Sequence, residues 1–222
     1  MRGGEEMPGY RQMNEIRKKI IKASYNAGAC HIGSALSCID IIEYIYAIKR
    51  KKDVFIFGKA SGVAAYYCYK YPLKKATELL KKYPLPNKNA GVPWSGGSLG
   101  MGLSVSCGLA LADRSRDVYC LISDGELQEG QTYEAIIFAA HHKLKNLKIY
   151  CDYNGIQACD YTKNVIKLDI VVKHLSSIFP IKICKNLKGK GVSFMENKVE
   201  WHYKNLTPEI YERAIKELKG TI

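Results

Sequence analysis

The chain has no apolar run near the ~18 residues that a membrane span needs, and residues 1–20 are polar and basic, without the apolar stretch of a signal peptide. A cytoplasmic protein is the expectation. No two of its 8 cysteines stand in a C-x-x-C pair. Several sit inside apolar runs, which argues for buried, reduced thiols rather than a disulfide framework or a thiolate metal site. Acidic side chains are the scarcer sign, 21 against 34 Lys and Arg, for a net charge of +13. Such an excess invites a nucleic-acid reading, but the lysines are scattered over 49–52, 70–82, 143–148 and 185–190, and no recognised nucleic-acid motif accompanies them. A solvated basic surface, attraction of anionic substrates such as sugar phosphates, and an acidic partner chain remain open.

An apolar fraction of 47% with 25% charged residues excludes a disordered chain, and 222 residues can bury one α/β core or two small ones. The most informative pattern is a pair of apolar runs. Residues 118–122 lead into Ser123-Asp124-Gly125-Glu126, and residues 147–151 lead into Asp152-Tyr153-Asn154-Gly155-Ile156. A helical stretch separates them, which describes a βαβ crossover with both polar ends at one edge of a parallel sheet. Ligands of open α/β sheets bind at that edge, and an Asp carboxylate with an Asn amide oxygen suits Mg²⁺ beside phosphate oxygens. A metal-diphosphate site follows.

Asp-Gly-Glu followed about thirty residues later by Asn-Gly is similar to the thiamine-diphosphate motif, and residues 126–147 resemble transketolase. Other segments agree. Gly28-Ala29-Cys30-His31-Ile32-Gly33 resembles the Gly-His-Pro-Gly turn of that family, Gly97-Ser98-Leu99-Gly100-Met101-Gly102 its Gly-Ser-Leu-Gly-x-Gly segment, and Lys188-Gly189-Lys190-Gly191 through Trp201-His202-Tyr203-Lys204 its last part. Taken alone, His31 before a helix reads as a cap or a satisfied polar group, and the glycine-rich loop as helix packing. The joint match shifts both toward function.

The resemblance implies a three-layer α/β/α fold with a mainly parallel central sheet, and a single diphosphate-binding domain over 1–222, the pyrimidine-binding and C-terminal domains being absent. It implies thiamine diphosphate with Mg²⁺ (or Ca²⁺) as cofactors. Asp124, Asn154 and the Ile156 carbonyl would hold the metal. Lys59, Ser61, Gly97, Ser98, Leu99, Gly125, Glu126 and Asn154 would contact the cofactor. His31 and His202 would serve the substrate, and Glu129 a carboxylate network across a subunit interface. For Glu126 a helix-start charge also suffices.

Four departures stand out. Lys59 replaces a family histidine, and no histidine lies between Tyr71 and Trp94 where the family has one. Tyr203 replaces a glycine, putting the local turn in doubt. Residues 161–186 are short, with a strand and helix of the family expected to be missing. The implied activity is two-carbon ketol transfer between sugar phosphates, completed by a separate C-terminal transketolase subunit in a homodimer or α2β2 assembly. Kept beside it are an enzyme half acting on another α-keto or nucleotide-linked sugar substrate, and a non-catalytic partner protein. Neither nucleic acid nor membrane is expected as a partner.

Further helices are expected over 11–27, over 37–48 entered at Ser34 or Ser37, over 74–82, 103–112 and 206–218, with a strand over 54–57.

Overall fold

Three of the four strands lie where the apolar runs predict them. β1 (Val54–Phe57), β2 (Val118–Ser123) and β3 (Leu147–Tyr153) are joined by β4 (Ile181–Lys185) in one sheet of order β1-β2-β3-β4, every pair parallel. The structure, a computed structural model, describes residues 10–82 and 98–220. Gly97 and the loop over 84–93 lie outside them.

Successive strand side chains point to opposite faces, and here both faces are apolar. Phe55, Phe57, Tyr119, Leu121 and Tyr150 enter one core, while Ile56, Val118, Cys120, Ile122, Ile149 and Cys151 enter the other. A parallel sheet buried on both faces needs a helical layer on each. The first core is closed by α1 (Tyr10–Ala27), α2 (Ile32–Ile48), α3 (Val63–Lys70) and α4 (Leu73–Leu80). The second is closed by α5 (Met101–Ala112) and α6 (Gly130–His141), and, after the single turn α7 (Thr162–Val165), by α8 (Asp169–Ile178). The C-terminal α9 (Pro208–Gly220) returns to the first face through Ala214, Ile215 and Leu218. This is the expected three-layer α/β/α fold. Layers meet closely at the start of α5, where a Cβ on Gly102 would stand 2.5 Å from the Gly58 Cα.

Two expectations are corrected. Residues 161–186 do contain a helix and a strand, α8 and β4, and β4 pairs with β3 from Ile149↔Ile181 to Tyr153↔Lys185. Their burial is partial, with Leu175 and Phe179 as the buried anchors, so the apolar periodicity is diluted by lysines. Helix α2 begins at Ile32, ahead of the expected start, with His31 in the left-handed region (φ 65°) at its N-cap. The His31 side chain makes no capping bond.

Candidate functional site

Strands β2 and β3 end side by side, Ser123 paired with Asp152, so the residues that follow them share the carboxyl edge. Asp124 is buried there. Its Oδ1 accepts the Gly125 N–H at 3.0 Å and its Oδ2 the Gly155 N–H at 2.5 Å. The Asn154 Oδ1 accepts the Ile156 N–H at 3.1 Å. Consecutive amides of one turn thereby gather the carboxylate and the amide oxygen, a turn that needs Gly155 at φ 78°. Beside them opens a cavity of about 290 Å³ lined by His31, Lys59, Ser61, Leu99, Asp124, Gly125, Ile156, His202 and Tyr203, among others.

The donor chemistry of this edge is hard oxygen. Among the described residues no group of three His, Cys, Asp or Glu side chains could hold a metal. A cation here must combine one carboxylate, one amide oxygen and one carbonyl with oxygens carried by its ligand, which is how Mg²⁺ is held beside phosphates. Asp124, Asn154 and Ile156 fit that requirement. Gly125 is the first residue of a 3-10 turn over 125–128 and lies one short turn ahead of α6.

Two lysines divide the positive charge in a way the sequence does not disclose. An ammonium has three N–H groups. Those of Lys59 go to the Ser34 carbonyl at 3.2 Å, the Ser37 Oγ at 3.0 Å and the Asp152 carboxylate. All three Lys59 N–H groups are thus engaged within the protein, although the residue lines the cavity. Burial works to lower its pKa, but the Asp152 charge prevails and raises it. Lys188, which the sequence does not single out as a site residue, is fully buried and donates to the His202 Nδ1 at 2.8 Å and to the Ile156 carbonyl at 3.4 Å. It forms no ion pair among the described residues, and one of its N–H groups has no described partner. Burial, with Lys59 nearby, pushes it down to about 7.

The two histidines meet. Their rings lie edge to face with centroids 4.9 Å apart, and the His31 N–H donates to the His202 carbonyl at 3.0 Å. Burial and the Lys188 charge lower His31 to about 4 and His202 to about 3. Both are neutral near pH 7. When Lys188 is an ammonium it donates to the His202 Nδ1, and the proton of that ring then resides on Nε2. Tyr203 leaves the turn intact, since its φ of −117° suits any residue. Its ring sits 5.3 Å from His31 and 4.7 Å from His202.

Other expected residues divide. Ser61 and Leu99 line the cavity, whereas Ser98 is exposed outside its lining. Glu126 is neither a helix-start surface charge nor a cavity residue. It is fully buried, its Oε2 accepting the Ser123 N–H at 2.7 Å and the Ser123 Oγ at 3.0 Å, and burial raises it to about 7. Glu129 holds the N-cap position of α6 with no side-chain cap bond, half-buried and outside the cavity. The structure does not bring it to the histidines.

The model of the transketolase thiamine diphosphate binding domain matches residues 79–200, more than half of the chain. The chain belongs to this transketolase family. It is 32% identical to one subunit of the apulose-4-phosphate transketolase of Actinobacillus succinogenes, over 92% of this chain and 93% of that protein. It is 28% identical to the SqwG subunit of the 6-deoxy-6-sulfo-D-fructose transketolase of a Clostridium species, over 94% and 95%. The transketolase structure from Campylobacter jejuni superposes with a TM-score of 0.77 at 22% identity, which shows the shared fold. The match covers 94% of this chain but 42% of that one. Among the described residues no helix is long and apolar enough to cross a membrane.

Proposed function

We propose that the chain is the diphosphate- and metal-holding subunit of a two-component, thiamine-diphosphate-dependent transketolase acting on sugar phosphates in the cytoplasm. The observation that carries this reading is the gathering of the Asp124 carboxylate and the Asn154 amide oxygen on the consecutive Gly155 and Ile156 amides, beside a cavity lined by Asp124, Gly125 and Ile156, with the buried Lys188 ammonium bonded to the Ile156 carbonyl and lacking an ion-pair partner among the described residues. A buried cation without a counter-ion is costly, and a magnesium-diphosphate ligand would supply its anion. That two relatives matched over almost their whole length are named as transketolase subunits supports the split form.

Thiamine diphosphate, when bound, supplies the carbon centre that carries a two-carbon ketol unit between sugars. This chain's residues bind and orient. Asp124, Asn154 and Ile156 would hold Mg²⁺ or a similar hard cation, the Lys188 ammonium, bonded to the cavity-lining Ile156 and His202, would offset the diphosphate charge, and Gly125 puts no side chain into the cavity it lines. Neutral His202 can donate its Nε2–H to a sugar oxygen, and His31 at the same cavity can hydrogen-bond a sugar hydroxyl through a ring nitrogen. Glu129, half-buried at the start of α6, is available to a second subunit in a dimer or α2β2 assembly. The pyrimidine end of the cofactor falls to a separate subunit.

The test is complementation. Alone, the chain is expected to transfer nothing from a ketose phosphate to an aldose, and mixing it with a purified pyrimidine-binding subunit should restore transfer. Silence of the mixture in the presence of both cofactors would overturn the enzymatic reading.

The acid–base state of the site gives a further expectation. Burial, opposed by Lys59 and by the Gly155 N–H, raises Asp124 to about 6. A raised carboxyl stabilises the empty fold below its unfolded pKa near 3.8, and that contribution is lost as pH rises through 6. Cation binding has the opposite sign because it needs the carboxylate. Binding of Mn²⁺ alone, which avoids titration of the cofactor, should weaken about tenfold or more for each pH unit below 6. A flat calorimetric profile from about pH 5 to 8 would remove Asp124 from the metal site.

A further inference from the structure

Behind the metal-facing oxygens lies a second polar cluster that the proposed function leaves unused. Asp152, fully buried at the end of β3, collects three donors on its Oδ2, namely the Lys59 ammonium, the Ser37 Oγ at 2.5 Å and the Asn154 Nδ2 at 3.4 Å. Its Oδ1 has no partner among the described residues. The Asn154 Nδ2 also donates to the Ser37 Oγ at 3.2 Å. Both contacts of the amide nitrogen therefore fall on the Asp152 side, and its oxygen is left to the Gly155–Ile156 turn that also binds Asp124. An amide turned end for end would set its oxygen against a carboxylate oxygen and its N–H groups against the Ile156 N–H. The cluster permits one orientation only.

We infer that Asp152, with Ser37 and the Lys59 counter-charge, is a positioning device that fixes the Asn154 amide with its oxygen toward the cation. Resting on the metal-diphosphate reading of the site, the inference gives Lys59 a role distinct from the diphosphate contact that its place in the sequence suggests. Metal-ligating side chains are commonly oriented by a second layer of hydrogen bonds, and removing those partners costs about 10- to 100-fold in metal affinity. Lys59 acts through Asp152, and Asp152 through Asn154. Neither Asp152 nor Ser37 lines the cavity, and Lys59, which does, needs no contact with the cofactor to act in this way.

Calorimetric titration of the full chain with thiamine diphosphate, in Mg²⁺ and in EDTA, separates this role from a structural one. The double variant Lys59→Met/Asp152→Leu removes both charges together and creates no new unpaired buried ion. It should lose about 10- to 100-fold of the affinity gained from Mg²⁺ while its affinity in EDTA stays within about twofold of the parent. Ser37→Ala, which deletes one hydroxyl, should lose about tenfold of that gain and carries the test if the double variant does not fold. A parent that gains affinity from Mg²⁺ beside variants that gain as much would overturn the positioning role alone. A parent with no gain from Mg²⁺ would overturn the metal-diphosphate reading and the positioning role with it.

Discussion

Asp124→Asn should reduce the Mg²⁺-dependent affinity for thiamine diphosphate by about 100- to 1000-fold without unfolding the protein. The side chain is the sole carboxylate among the three oxygens offered to the cation. A unit-charge interaction near 4 Å in a protein environment of effective dielectric about 20 is worth about 4 kcal/mol, and each 1.4 kcal/mol is a factor of ten. The divalent charge raises that figure, and the amide oxygen, still a weak ligand, returns part of it. The fold should tolerate the change. Asp124 contributes backbone contacts to Gly125 and Gly155, which an amide oxygen can still accept in part, and the substitution removes a carboxyl that burial already pushes toward neutrality. Unfolding in urea near pH 7.5, where the parent carries the ionised form, should show a midpoint equal to the parent or higher. Parent-like affinity in Mg²⁺ would place the metal elsewhere.

Lys188→Met should weaken thiamine diphosphate binding about 100-fold, in EDTA as well as in Mg²⁺, while raising or preserving the stability of the empty protein. The opposite signs arise from one fact. Lys188 is fully buried without an ion-pair partner among the described residues, so its charge is unfavourable until an anion arrives. Methionine fills the same volume without it. The pH dependence supplies an independent check. Because the Lys188 pKa is lowered from 10.5 to about 7, the stability linked to its neutral form is complete above 10.5 and is lost as pH falls through 7. The difference in melting temperature between variant and parent should therefore be larger at about pH 7 than at about pH 9. A variant that binds thiamine diphosphate as tightly as the parent would show that this ammonium does not meet the diphosphate.

The frame of the site is legible in the sequence because parallel strands buried on both faces leave long β-branched runs, and each run here ends in a residue with an obvious chemical use. Asp124 and Asn154 meet where that logic puts them, and His31 and His202, which are 171 residues apart in the numbering, meet at the same cavity. Pair geometry of this kind follows from topology. The lysines are illegible for a different reason. Position alone gives Lys59 to the diphosphate, and counting its three hydrogens requires knowing that Ser37 and Asp152 face it from α2 and β3. Lys188 sits in a Lys-Gly-Lys-Gly turn that reads as solvent-exposed. The turn is instead drawn inward at Gly189, whose φ of 79° and tight contact with the Met195 carbonyl admit no side chain. The alternation of lysine with glycine is the available signal, since glycines free to take positive φ allow the first lysine to be buried. Glu126 reads as a surface charge because an acid at a helix start usually is one, and its bonds to Ser123 tie it beneath β2 instead.

The central claim is that this chain, before any partner arrives, holds the metal-diphosphate end of thiamine diphosphate. Isothermal titration of the purified chain at about pH 7.5 with thiamine diphosphate, in Mg²⁺ and again in EDTA, tests it most directly. Saturable one-to-one binding, at least about tenfold tighter with Mg²⁺, is the predicted result. Absence of saturable binding, or equal affinity with and without the metal, would contradict it.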